Sequence, residues 1–279
     1  MKNYIKLTRF DKPIGILLLL WPTLSAVWLA SHGRPSLHIL FVFVVGVVLM
    51  RAAGCAINDY ADRKIDGHVA RTRTRVIVVG AVTPTAALMV AGVLALLAFL
   101  LVLTCNRLTI ELAVVGALLA GIYPFLKRVT HLPQLGLGLA FAWGVPMAFA
   151  AVQGRVPAQA WGLFAAFALW PVIYDTMYAL ADVEDDRKVG VKSTAILFGR
   201  FADYIIGLLY IPFVMLLFMI GYQFNLNMGY FIAIFIVMIF IRYQQKLLMV
   251  KHPDAYFAAF TSSRWIGLLV FLGIVIGMI

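Results

Sequence analysis

Apolar runs of bilayer-spanning length recur along this chain, and they restrict its fold more than any other feature. A helix needs roughly 20 apolar residues to cross the hydrocarbon core of a membrane. Hydropathy predicts nine such spans, over residues 14–31, 36–57, 83–104, 108–126, 135–153, 158–181, 203–222, 227–245 and 264–279. Composition agrees: 63% of the 279 residues are hydrophobic and 13% are charged, where soluble domains lie nearer half and a quarter. The expected fold is therefore all-α, a polytopic membrane protein forming a single transmembrane domain over 1–279. "RFDKPIGILLLLWPTLSAVWLA" lacks a small-residue cleavage site and reads as a first span, not a removable leader. Cys55 and Cys105 fall near opposite ends of different helices, so neither a disulfide nor a metal site is expected from them.

The placement of charge orients these spans. Of 23 Lys and Arg residues, only Arg34, Arg107 and Arg155 fall on the face opposite the N-terminus. The positive-inside rule then puts the N-terminus in the cytoplasm and, after nine spans, the C-terminus outside. Of 12 Asp and Glu residues, only Glu111 falls on that outer face. The net charge of +11 therefore records topology, plus attraction to anionic lipid or an anionic substrate. No nucleic-acid partner is expected.

Two acidic segments stand out at span ends. In "AINDYADRKIDGHVARTRTR", Asp59, Asp62 and Asp66 follow at i, i+3 and i+7, so on a continuous helix they fall within about 60° of one another. Arg51 and Asn58, seven apart, share an adjacent stripe. In "YDTMYALADVEDDRKVG", Asp175, Asp182 and Asp186 fall within about 40° by the same reasoning, with Tyr178 beside them. Asp175 lies two turns inside the sixth span, where a carboxylate costs a few kcal/mol and so faces a polar cavity with a partner. Asp62 and Asp66 recur as Asp182 and Asp186, 120 residues on, which suggests a weak internal repeat around one central cavity opening to the cytoplasmic side.

Six carboxylates converging on one cavity repel one another unless cations intervene. Oxygen ligands without His or Cys favour Mg²⁺ or Ca²⁺. The basic residues around them suit phosphate oxygens. Together they describe a diphosphate site inside a membrane. A transporter of cations or lipid diphosphates remains an alternative on residue chemistry alone, because intramembrane acids also mark ion pathways. The five histidines are scattered without metal spacing. Gly136, Gly138 and Gly144 lack the strand–helix context of a nucleotide loop and read as close helix packing.

These motifs resemble the UbiA-type intramembrane aromatic prenyltransferases. NDxxDxxxD stands here as Asn58 to Asp66, DxxxD as Asp182 to Asp186, and YxxxK as Tyr123 to Lys127. Within the family, the first span and both acidic segments look most like the bacterial 4-hydroxybenzoate polyprenyltransferases of ubiquinone synthesis. One departure is Arg75-Val76-Ile77-Val78-Val79-Gly80, where members usually carry Arg-Pro-Leu before the Gly. The resemblance implies a bacterial inner-membrane enzyme with polyprenyl diphosphate and an aromatic acid as substrates. It implies Mg²⁺ held by Asn58, Asp62 and Asp66 on one side and by Asp182 and Asp186 on the other. Arg71, Arg75, Lys127 and Lys192 would hold diphosphate, and Tyr123 would assist it or the allylic cation. Arg51 is the first choice for the acceptor carboxylate and Arg128 the second. Either could instead be bland, Arg51 in a salt bridge to Asp59 or Asp175 and Arg128 as a topology signal. Asp175 orients or deprotonates the acceptor, or only balances an arginine. Naphthoate, homogentisate or haem acceptors remain open.

Overall fold

The computed structural model describes residues 1–279. It is built of helices alone. In chain order these are α1 (Lys2–Leu7), α2 (Ile14–Ala30), α3 (Leu37–Asp62), α4 (Pro84–Val102), α5 (Arg107–Leu126), α6 (Pro133–Ala142), α7 (Gly144–Gln153), α8 (Ala158–Leu180), α9 (Val183–Val189), α10 (Thr194–Phe198), α11 (Ala202–Gln223), α12 (Met228–Leu248) and α13 (Pro253–Gly277). Eight units are long and apolar enough to cross a membrane, with α6 and α7 counting as one, and the 17-residue α2 makes the ninth.

Local sequence explains the starts and breaks. Ser36, Thr83, Asn106 and Asn227 each accept a backbone N–H from the first turn of the helix they precede, which satisfies donors that would otherwise be orphaned. The fifth span breaks at Trp143. Pro146 has no N–H to return to the Ala142 carbonyl, the usual cause of such a break. The Trp143 indole bridges the break sideways by donating to the Leu112 carbonyl at 2.7 Å.

Consecutive spans pack side by side, and α13 closes the ring against α2. The second acidic segment's helix, α8, is the most enclosed, with 67% of its apolar window buried, against 17% for α4 and 11% for α5. Gly138 allows α6 to reach α8, since a Cβ there would run into the Ala168 carbonyl.

Three expectations are corrected. The α3 helix continues to Asp62, five residues past the predicted end at 57, and Asp66 sits on a separate 3₁₀ turn, Asp66–His68. The α8 helix stops at Leu180, so Asp182 stands just before the short α9 and Asp186 lies within it. The two single-helix carboxylate stripes therefore do not form, and turns bring their members together instead. The last span starts at Pro253, not 264. Its polar patch reads as loop in sequence, but Ser262 and Ser263 are turned inward, where the buried Gln244 amide donates to their hydroxyls at 2.8 and 3.1 Å.

Candidate active site

The two acidic segments meet across the end of the bundle that carries the N-terminus. Arg71, on the loop after α3, forms a two-pronged pair with Asp182 and also reaches the Tyr178 hydroxyl. The neighbouring Ala70 N–H donates to Asp185 at 3.1 Å. Arg75 spans the first segment, with Nη1 at 2.7 Å from Asp66 and 3.2 Å from Asp59. Lys127, at the end of α5, pairs with Asp62. Lys192 is tied to the same corner: its backbone N–H donates to the Lys127 carbonyl at 3.0 Å, and its ammonium to the Val129 carbonyl at 3.2 Å. The expected carboxylates and cations thus gather at this end of the bundle, where Arg71, Arg75 and Lys127 are ion-paired with Asp182, Asp66 and Asp62.

The loop with the unusual Val76-Ile77 is held by burial. Val76, Ile77 and Val82 pack with Leu7 of α1 and Ala56 of α3, and the Val82 N–H returns to the Val76 carbonyl at 3.1 Å. The packed turn fixes the chain just after Arg75 where a proline would otherwise have stiffened it.

Electrostatics reflect this crowding. Burial raises the Asp66 carboxyl to about 6 despite Arg75 beside it. Burial, followed by the repulsion of Asp182, raises Asp186 to about 6, while Lys127 and Arg71 oppose the shift. The Ala70 N–H, followed by Lys188, lowers Asp185. Two carboxylate oxygens, Asp59 Oδ2 and Asp62 Oδ1, are buried without a hydrogen-bond partner. Half-buried Asn58 lies one residue away, and its amide makes no hydrogen bond within the protein. No three acids, histidines or cysteines are grouped closely enough to form a ready-made metal cage. The oxygen-only donors and the orphaned Asp62 oxygen nevertheless fit a hard divalent cation completed by substrate phosphate.

Arg51 lies deeper in α3, and neither bland reading of it holds. It makes no ion pair with Asp59, which is taken by Arg9 at 2.8 Å and by Arg75, nor with Asp175. Its Nε is buried without a partner, its guanidinium lies 5.6 Å from the centre of the Phe141 ring, and it fills the space that Gly15 leaves by having no side chain. Arg51 and Tyr123 both line a cavity of about 180 Å³ between α2, α3, α4, α5 and the α6–α7 span. The rest of that cavity is mainly apolar and reaches Val102 and Thr109, at the far ends of α4 and α5. Asp175 is likewise without an ion pair; its Oδ2 accepts from the Gln134 amide at 3.2 Å. Arg128 is committed elsewhere, donating to the Ala61 carbonyl at 2.5 Å at the end of α3.

Sequence reasoning missed two residues here. Arg9 was read only as topology, yet its positive φ of 58° turns it back toward Asp59. Gln134, 4% exposed, links Asp175 to the Thr194 backbone N–H, which it accepts at 3.1 Å. An isolated Gln at the start of an apolar span was the available signal.

The chain matches the UbiA prenyltransferase family over residues 19–277. It is 53% identical over 276 residues to a 4-hydroxybenzoate octaprenyltransferase of Coxiella burnetii, covering 99% of this chain and 96% of that protein. To the protein of the same description from Escherichia fergusonii it is 54% identical over 269 residues, covering 96% and 93%. Its fold is similar to the apo structure of a UbiA homologue from Aeropyrum pernix, with a TM-score of 0.83 at 24% identity over 95% of this chain and 98% of that one. A UbiA homologue from Archaeoglobus fulgidus bound to GPP and Mg²⁺ superposes with a TM-score of 0.71 at 17% identity, covering 98% and 99%.

Proposed function

The chain belongs to the UbiA prenyltransferase family, and from that premise we propose that it moves a polyprenyl group from its diphosphate to 4-hydroxybenzoate, at the ring carbon ortho to the hydroxyl, in ubiquinone synthesis. The observation that carries the acceptor's identity is Arg51: a guanidinium with a buried, unpartnered Nε and no ion pair, lining an apolar cavity beside Tyr123. An unpaired cation at that depth is costly, and an aromatic carboxylate would relieve it with two parallel hydrogen bonds. Relatives described as 4-hydroxybenzoate octaprenyltransferases support the same acceptor.

In this reading Asn58, Asp62, Asp66, Asp182 and Asp186 would hold Mg²⁺. Bound there, Mg²⁺ supplies Lewis-acid stabilisation of the departing diphosphate. Arg71, Arg75 and Lys127 turn from their carboxylates, and Lys192 from the Val129 carbonyl, to the diphosphate oxygens and stabilise the charge that develops as the C–O bond breaks. Tyr123 faces the allylic cation with its ring or the diphosphate with its hydroxyl. The apolar cavity wall keeps water from that cation. The acceptor, clamped through its carboxylate by Arg51, attacks through the carbon ortho to its hydroxyl and forms the new C–C bond. Asp175, held by Gln134, orients the acceptor hydroxyl or takes up the released proton. Diphosphate leaves toward the charged end. The excess of Lys and Arg on that side supports a cytoplasmic N-terminus in a bacterial inner membrane.

The test is a membrane assay offering prenyl diphosphates of several lengths with a panel of acceptors, analysed by mass. Prenylated 4-hydroxybenzoate with free diphosphate, dependent on Mg²⁺, is expected. Transfer to a naphthoate or homogentisate in its place would overturn the acceptor assignment.

A further inference from the structure

The opposite face of the bundle holds a second concentration of positive charge, which prenyl transfer leaves without a role. The α2–α3 connection and the α7–α8 connection share a pattern, Gly33-Arg34-Pro35 in one and Gly154-Arg155-Val156-Pro157 in the other. Both glycines adopt the left-handed conformation, with φ of 78° and 69°, a turn that costs glycine least. Each turn delivers the arginine that follows it into the same open groove of about 800 Å³, together with Ser31, His32, Ser36 and Gln153. The two loops are joined across that groove by the Gln153 amide, which donates to the Ala30 carbonyl at 2.9 Å.

Charge at this groove is uncompensated. Arg34, Arg107 and Arg155 are the only Lys or Arg residues on this face, and two of the three enter the groove. The one acid on the face, Glu111, is already paired with Arg107 at 2.8 Å. Arg34 and Arg155 form no ion pair. The groove opens where α2 and α7 end and α3 and α8 begin, the level at which lipid headgroups lie beside a nine-span bundle.

We propose that this groove binds a phosphate group between Arg34 and Arg155 in the leaflet opposite the active site. Two guanidiniums presented by these turns, with the Ser36 hydroxyl beside them, are the donors that phosphate oxygens take. The phosphate comes either from an anionic phospholipid headgroup or from free phosphate in the adjoining water. Basic residues at a membrane surface attract anionic lipid by an amount that corresponds to roughly five-fold in affinity per side chain.

The full-length protein, delipidated in detergent, is titrated with phosphatidylglycerol and, separately, with inorganic phosphate, and bound adducts are read by native mass spectrometry. The double variant Arg34→Gln/Arg155→Gln should bind roughly 25-fold more weakly in the arm that supplies the ligand, and this identifies the source. Arg107→Gln, which removes the third arginine of this face, should bind like the parent. Retained prenyl transfer in the double variant confirms that it is folded. Equal binding by parent and double variant in both arms, or an equal loss in Arg107→Gln, would overturn the proposal.

Discussion

Replacing Arg51 with Gln separates acceptor binding from donor binding and tests the central assignment. The guanidinium offers a carboxylate a charge-assisted, two-pronged clamp, and hydrogen bonds to charged groups contribute about 1.5–3 kcal/mol. At about 1.4 kcal/mol per factor of ten, the KM for 4-hydroxybenzoate should rise by roughly ten- to hundred-fold. The KM for the polyprenyl diphosphate should change little, because in the proposed site its phosphates would meet Arg71, Arg75 and Lys127 instead. The neutral analogue 4-hydroxybenzamide should lose far less in the variant than the acid does. The change should not destabilise the protein: the Arg51 Nε is buried without a partner, and its removal relieves a desolvation cost of about 1–3 kcal/mol that offsets the lost packing. Initial rates in membranes against each substrate in turn, with a thermal melt of the purified variant, give the readout. An unchanged acceptor KM beside a raised donor KM would refute the clamp. A large drop in melting temperature would show that Arg51 is held for structure.

Further expectations follow from other parts of the site. Asp62→Ala and Asp182→Ala should each reduce prenyl transfer to background, since each removes a carboxylate from one side of the proposed metal-binding set; near-parental product by mass would remove both from that role. The Mg²⁺ concentration for half-maximal activity should be flat above about pH 7 and rise as pH falls through about 6. Asp66 and Asp186, raised to about 6, then take up protons that compete with the metal; a half-saturation that ignores pH would count against them as ligands. Gly15→Ala should reproduce the raised acceptor KM of the Arg51 variant, because the new methyl group occupies the place of the guanidinium. Gly138→Ala should cost about 1–3 kcal/mol by overpacking against the Ala168 carbonyl, visible as a lowered melting temperature with little change in either KM.

The spans were legible because lipid permits so little else: a long apolar run has no alternative to a helix. What sequence could not show was where neighbours override the local pattern. The charged "NDYAD" looked like the outside of a membrane, yet α3 carries it as helix because Arg9, Arg75 and Lys127 arrive from three distant segments to neutralise it. "TSSR" looked like a connection, yet Gln244 of the adjacent helix makes its hydroxyls an interior feature. The site residues were legible as a set because their chemistry is unusual for a membrane interior. Their geometry was not, since helical spacing was extended through Asp66 and Asp186, where the chain has already turned. Arg51 shows the same limit from the other side. Spacing put it on the stripe beside Asn58, but its lack of an ion pair is a property of the packed bundle.

The thin cover of α4 and α5 has a consequence for how this enzyme's kinetics are expressed. With 17% and 11% of their apolar windows buried, these helices make the cavity wall on that side a single helix thick. The cavity behind that wall has a volume of about 180 Å³, which a long polyprenyl chain would outrun. On the proposed reaction, the rest of a long tail would lie in the surrounding lipid while its head reacts. Such a donor would be a solute of a two-dimensional phase, and its natural concentration a mole fraction of the bilayer. Added lipid dilutes it even when the aqueous volume is unchanged, and a donor KM quoted per litre describes the preparation more than the protein.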